Sequence, residues 1–267
     1  MKAFLLSLRS EFFKTRKTLA FWCAILLPLL ICMLMTIGFL TNAEKMASWP
    51  GELLWIRFVG NVLNVMGVLL LPMFTVFTAY SINNIEHRAD TWKMLFTLPL
   101  PKFTVYSAKY VYALLLIFIS LALFVLFTIG FANLLSVIKP GLRFNEYHME
   151  FTLMQIYFKL FLSALGILSL QFLFSLLWKD FLKPMGIGFV GTISGIIMAS
   201  AGWKYAYLFP YSHPMLALTN MLPRTKTPTQ SRQLVINILT DDVYVSLAVA
   251  VVVFFAGYFI LLKRSIK

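Results

Sequence analysis

Gly186-Ile-Gly-Phe-Val-Gly191 spells GxGxxG, the letter pattern of a loop that cradles a dinucleotide phosphate. That chemistry needs a strand before the glycines and an exposed helix start facing a pyrophosphate. Here the glycines lie inside an apolar run, so their smallness serves close helix packing, with Gly195 and Ser200 extending the small-residue surface. Cys23 and Cys32 share another apolar run. Nine residues apart on one helix is roughly 13 Å, beyond disulfide reach. His87, His148 and His213 are scattered, and neither HExxH nor GxSxG occurs. No paired acids or histidines fall within an apolar run, which argues against a proton-coupled carrier or an intramembrane protease. The Walker A pattern GxxxxGK[ST] is also missing. No catalytic residue, bound cofactor or metal site is indicated, and any ATP chemistry belongs to another polypeptide.

The remaining candidate is a contact surface, Asn84 to Lys109, NIEHRADTWKMLFTLPLPKFTVYSAK. Ile82, Ile85, Ala89, Trp92 and Phe96 recur on one helical face, with Glu86, Arg88, Asp90 and Lys93 around the others. Asp90 and Lys93 are spaced to pair at i,i+3, and Pro99 and Pro101 stop the helix. The pattern predicts a short amphipathic helix with the apolar face under the bundle and Glu86, Arg88 and Lys93 turned to a partner. The plainer alternative is a solvated interfacial loop.

The elements that position this stretch are membrane spans. Of the 267 residues, 60% are hydrophobic and 12% charged, against about 45–50% and about 25% in soluble domains. The apolar residues group into runs near the ~20 residues that cross a bilayer, and they lack the alternation of a barrel strand. The expected fold is an all-α polytopic membrane protein, a single transmembrane domain over 1–267. Its six spans lie near 18–40, 58–80, 110–136, 160–178, 184–202 and 243–262. Asn61 and Asn64 in span two are read as interhelical glue, and Lys159 as a snorkelling residue at the start of span four. Residues 1–17 alternate apolar and basic residues at helical spacing, predicting an interfacial amphipathic helix. A signal peptide is disfavoured, because the following apolar run is long and lacks a small-residue cleavage site.

The net charge of +13 points to topology and anionic lipid, not to nucleic acid. Segments 1–17, 83–109, 179–183 and 263–267 hold 14 Lys and Arg, whereas the longer set 41–57, 138–152 and 203–242 holds 8. The first set, with both termini, is therefore expected on the cytoplasmic side. In the outer segment 203–242, the aromatic, proline-broken stretch from Trp203 is expected to dip into the outer leaflet, supported by neighbouring spans.

Six spans, an amphipathic leading helix and an acidic short helix between spans two and three resemble the permeases of ABC-2 type ABC transporters. Glu86, Arg88, Thr91, Trp92, Leu95, Pro99, Tyr106 and Lys109 follow that family's order in the connection. Asp90-Thr91-Trp92-Lys93, Leu98-Pro99 and Phe209-Pro210-Tyr211-Ser212-His213-Pro214 are similar to the branch that expels lantibiotics and other peptide antibiotics, although Asp90 stands where Gly or Asn is usual. The resemblance implies a half-transporter in the bacterial cytoplasmic membrane, working as a homo- or heterodimer with two ATPase subunits that hold ATP and Mg. It implies outward export of an amphiphilic cargo, and a coupling helix in the ATPase cleft carrying Glu86, Arg88, Asp90, Thr91, Trp92, Lys93 and Leu95. The competing classes are an ATP-independent carrier or channel, expected to show charged or broken helices at mid-membrane, and a membrane scaffold or sensor.

Overall fold

The computed structural model describes residues 2–46, 49–91, 100–144, 148–219 and 236–263, and the regular structure among them is entirely helical. Helix α1 (Lys2–Thr15) is followed by α2 (Leu19–Thr41), the one-turn α3 (Ala43–Met46) and α4 (Gly51–Val65). A π-helical turn, Met66–Leu70, carries α4 without a break into α5 (Leu71–Ala89). Then come α6 (Lys102–Ile138), α7 (Glu150–Leu177) and α8 (Leu182–Ser200). Two 3₁₀ turns, Ala206–Leu208 and Pro210–Ser212, lead into α9 (His213–Thr219), and α10 spans Asp241–Lys263.

Among the described residues, six helical stretches are long and apolar enough to cross a membrane: α2, α4 with α5, α6, α7, α8 and α10. The protein is an all-α polytopic membrane protein. Hydrocarbon offers no partner to a backbone N–H or C=O, and a helix satisfies both within its own segment. The helices outrun the hydrophobic spans. Gly51–Ala89 has 39 residues and α6 has 37, about 58 and 55 Å at 1.5 Å per residue, against about 30 Å of hydrocarbon. Hydropathy marks only the part of a helix that meets lipid. The helical ladder continues through polar turns wherever neighbouring helices cover them. Glu86, Lys109 and Lys159 thereby fall inside helices and not in loops or at span edges.

Helix α7 is central and packs against α5, α6 and α10, while α2 lies along α6. Leu153, Leu160, Ile167, Leu168 and Phe172 of α7 are buried. Polar groups join α7 to α5. Asn83 Nδ2 donates to Ser175 Oγ at 2.8 Å, and His87 Nε2 lies 2.9 Å from the Ser175 carbonyl. Asn61 and Asn64 do not serve this purpose, because both face out of the bundle. They flank the buried face of α4 formed by Leu54, Phe58 and Val62 and are themselves exposed.

Residues 206–219 wedge between the spans and bury Tyr211, Ser212, His213 and Leu218. Glycine makes the room. A Cβ on Gly195 would lie 2.5 Å from the Tyr211 carbonyl carbon, and one on Gly67, in the π turn, would collide with the Leu218 side chain. Gly188 and Gly191 likewise meet Val76 and Tyr211, whereas Gly186 has open space beside it.

Candidate functional site

The α1 end of the bundle holds a buried square of alternating charges. Glu11 lies on α1, Glu86 in the last turn of α5 and Lys109 in the extension of α6 beyond its apolar stretch. Lys109 Nζ donates to Glu11 Oε2 at 2.8 Å and to Glu86 Oε2 at 2.5 Å. Lys14 Nζ closes the other side, 3.0 Å from both Glu11 Oε1 and Glu86 Oε1. Glu11, Glu86 and Lys109 are 3%, 1% and 1% exposed, so three helices converge on charges withdrawn from solvent. Two anions and two cations balance one another, and each carboxylate uses both oxygens. Such a set is only modestly stabilising compared with an apolar core, but deleting one member strands a buried charge at a cost of about 3–5 kcal/mol.

The local sequence explains the convergence. On α1, Glu11 and Thr15 are four residues apart and both are buried, while Leu5, Leu6, Phe12 and Phe13 are exposed. Thr15 bonds the Tyr112 hydroxyl of α6 and donates to the Glu11 carbonyl at 2.8 Å. Burial by itself depresses the Lys14 ammonium pKa, but the adjoining Glu11 and Glu86 carboxylates outweigh it and hold the group above the ordinary lysine range.

Glu86 was expected to face a partner. Its side chain is instead sealed inside this cluster, because α5 runs unbroken to Ala89 and carries Glu86 on its inward face. The next turn is the exposed one. Arg88 and Asp90 are exposed and Thr91 is half-buried. Asp90 adopts φ 49°, a left-handed conformation that ends the helix, and the Thr91 N–H donates to the Glu86 carbonyl at 3.1 Å. Lys179, in the α7–α8 turn, donates to Asp90 Oδ1 at 3.0 Å on the surface. Trp92, Lys93 and Leu95 lie outside the described residues. The turn therefore sits one residue beyond a helix end that is ion-paired to α1 and α6.

Residue reading missed the partners of Glu86. Glu11 is the single acid among the five basic residues of segment 1–17, which is a usable signal for a buried partner. Lys14 and Lys109 carry no such mark. At the far end of the bundle, Lys159 does not snorkel. It is 1% exposed, well inside α7, and within electrostatic range of Asp242 at the start of α10. His213 is fully buried near the same carboxylate, with Nε2 2.8 Å from the Tyr207 carbonyl. Burial pushes its imidazole below the usual histidine range, against the opposing pull of that carbonyl and of Asp242.

The helical membrane bundle thus sets its ionic square beside an exposed inter-span turn. The family described as ABC-2 family transporter protein matches residues 7–195, and the chain belongs to it. No curated protein and no solved structure matches the chain. Membership makes this a multi-pass permease component of an ABC transporter, not itself a hydrolase, and implies an ATPase partner. The matched region contains α2 through α7, most of α1 and α8, and the whole ionic square.

Proposed function

We propose that this chain is one of two permease subunits of an ABC exporter, receiving work from a cytoplasmic ATPase at the connection between α5 and α6. The observation that carries the reading is the join between an exposed turn and a buried lock. Arg88 and Asp90 face outward one helical turn from Glu86, which is ion-paired to α1 and α6. Force applied at 84–95 reaches three helices through Glu86 and Lys109. Arg88, Asp90, Thr91, Trp92, Lys93 and Leu95 make the ATPase contact, and Glu86 transmits without touching the partner. ATP and Mg are held by that partner. The excess of basic residues at the α1 end supports a cytoplasmic position for it and for both termini, and the membrane in this reading is the bacterial cytoplasmic membrane.

The cargo is an amphiphile, such as an antimicrobial peptide, a lipid-like molecule or a drug. Arg57, Asn61 and Asn64 form an exposed polar stripe at i, i+4 and i+7 along α4. Such groups are costly against lipid tails and belong to a cavity or subunit interface, which supports a path between two permease subunits. Export is tested in a deletion strain exposed to a panel of cationic peptides, lipid-like detergents and hydrophobic drugs. Heightened sensitivity to one class, restored by the wild-type gene and not by a version bearing Asn61→Leu and Asn64→Leu, is the expected result. Unchanged sensitivity across the panel counts against export.

A further inference from the structure

The two faces of α1 differ in chemistry. Glu11, Lys14 and Thr15 turn inward, to the ionic square and to Tyr112. Lys2, Arg9 and Arg16 are exposed on the other side, flanked by exposed Leu5, Leu6, Phe12 and Phe13. Glu11 is the one acid of α1 and is buried, so the outer face carries no negative charge. The Arg16 N–H donates to the Phe12 carbonyl at 3.0 Å, so helical spacing holds through Arg16. Arg9, Phe13 and Arg16 therefore stand at i, i+4 and i+7 on one side of the helix. Both guanidiniums lie over the Phe13 ring, 5.5 and 5.1 Å from its centroid, and neither is ion-paired among the described residues. Phe12 meets Phe13 and Phe21 edge to face at 5.8 and 5.9 Å, and Phe21 meets Trp22 at 6.0 Å. The rings thus continue from α1 into the first turn of α2, a membrane span.

Aromatic side chains gather where hydrocarbon gives way to headgroups. Helix α2 is apolar from Leu19 onward, so Phe12, Phe21 and Trp22 mark that boundary on α1 and set Arg9 and Arg16 near the level of the lipid phosphates. A guanidinium ordered against a ring keeps its fork of N–H donors, whose geometry matches a phosphate. We propose that Arg9 and Arg16, ordered by Phe13, bind the phosphodiester headgroup of an anionic phospholipid. A zwitterionic lipid brings the same phosphate with a cationic group beside it, so the site discriminates by net charge. The positive outer face and the adjoining span favour lipid over an acidic protein surface. The inner face of α1 is tied to α5 and α6 through Glu11 and Lys109. A bound lipid therefore anchors the ionic square to the membrane surface.

The test uses the full chain, without any ATPase, in phosphatidylcholine nanodiscs containing a minor share of phosphatidylglycerol, and retained lipid is counted by native mass spectrometry. The expected result is an enrichment of phosphatidylglycerol of about tenfold or more, the scale of two basic residues at a lipid surface, falling in high salt. Arg9→Gln/Arg16→Gln abolishes the enrichment. Arg9→Lys/Arg16→Lys keeps the charge without the fork and retains part of it, and Phe13→Leu weakens it. As a control, Lys179→Gln/Lys183→Gln removes the same charge from the α7–α8 turn and leaves the enrichment in place. All these positions are exposed, so the unfolding midpoints should stay at the wild-type value. Lack of enrichment in wild type, its survival in Arg9→Gln/Arg16→Gln, or an equal loss in the control overturns the proposal. So does loss of a co-purifying ATPase from Arg9→Gln/Arg16→Gln with the enrichment unchanged, which makes the face a protein contact. Each of these outcomes leaves the permease reading untouched.

Discussion

The two ends of the bundle handle buried charge in opposite ways. At the α1 end, Glu11, Lys14, Glu86 and Lys109 meet within 3.0 Å, and each carboxylate oxygen has an ammonium partner. At the far end, Lys159, His213 and Asp242 sense one another's fields, yet Asp242 Oδ2 and His213 Nδ1 are left without hydrogen bonds among the described residues. A closed square fixes three helices relative to one another. The α1 end thus ties helices together through completed ion pairs, whereas the far end buries charge without completing its bonds among the described residues.

The sharpest way to break that contrast is to remove a charge from each end. Lys109→Met leaves two buried carboxylates sharing Lys14 as their cation, with one negative charge uncompensated, and is expected to destabilise the protein by about 3–5 kcal/mol, read as a lowered unfolding midpoint in denaturant titration of the detergent-solubilised chain. Adding Glu11→Gln to that variant should recover part of the loss, because fewer stranded charges remain. Gly195→Val comes next. It drives a branched side chain into the Tyr211 backbone and should cost about 1–3 kcal/mol, measured in the same titration. Lys159→Met is expected to cost only about 1 kcal/mol or less, since its interaction with Asp242 acts through the field and not through a direct bond. A loss matching that of Lys109→Met would erase the distinction between the ends.

Two smaller effects sharpen the picture at the α1 end. Lys179→Ala removes a surface ion pair with Asp90, both side chains being well exposed, and should change stability by less than about 1 kcal/mol, fading in high salt. The pH dependence has a definite sign. Because the Lys14 pKa is raised in the folded protein, its contribution is fully present below the unfolded lysine value of about 10.4 and is lost as pH rises through the raised folded value. Thermal midpoints of wild type and Lys14→Met should therefore differ through the neutral range and converge only in strong alkali.

The fold was readable from the sequence because lipid imposes one simple rule, and runs near 20 apolar residues announce the helices. Helix ends were less readable. Glu86 looked like a surface residue because it sits in a polar stretch, yet α5 continues to Ala89 and turns it inward. Its burial depends on Glu11, Lys14 and Lys109, which lie 23 to 75 residues away along the chain, and local periodicity carries nothing about such pairings. Lys159 misled for a similar reason. A lysine near a span boundary ordinarily snorkels, but the helix began nine residues earlier and neighbouring helices closed over it. The small-residue run from Gly188 to Gly195 was legible as packing, whereas its partner, the 206–219 wedge, follows only from tertiary structure.

The most direct test of the account is co-purification of the ATPase with the tagged permease from the native membrane, comparing wild type with the double variant Arg88→Glu/Trp92→Ala. Glu86 is unsuitable for this purpose, since substituting it breaks the buried square. The account predicts that wild type retains a stoichiometric ATPase with ATP-hydrolysing activity. The variant should lose it while keeping the wild-type elution volume and unfolding midpoint. Equal ATPase retention by both proteins would contradict docking at the connection between α5 and α6, and its absence from wild type under mild solubilisation would contradict the driven-permease account itself.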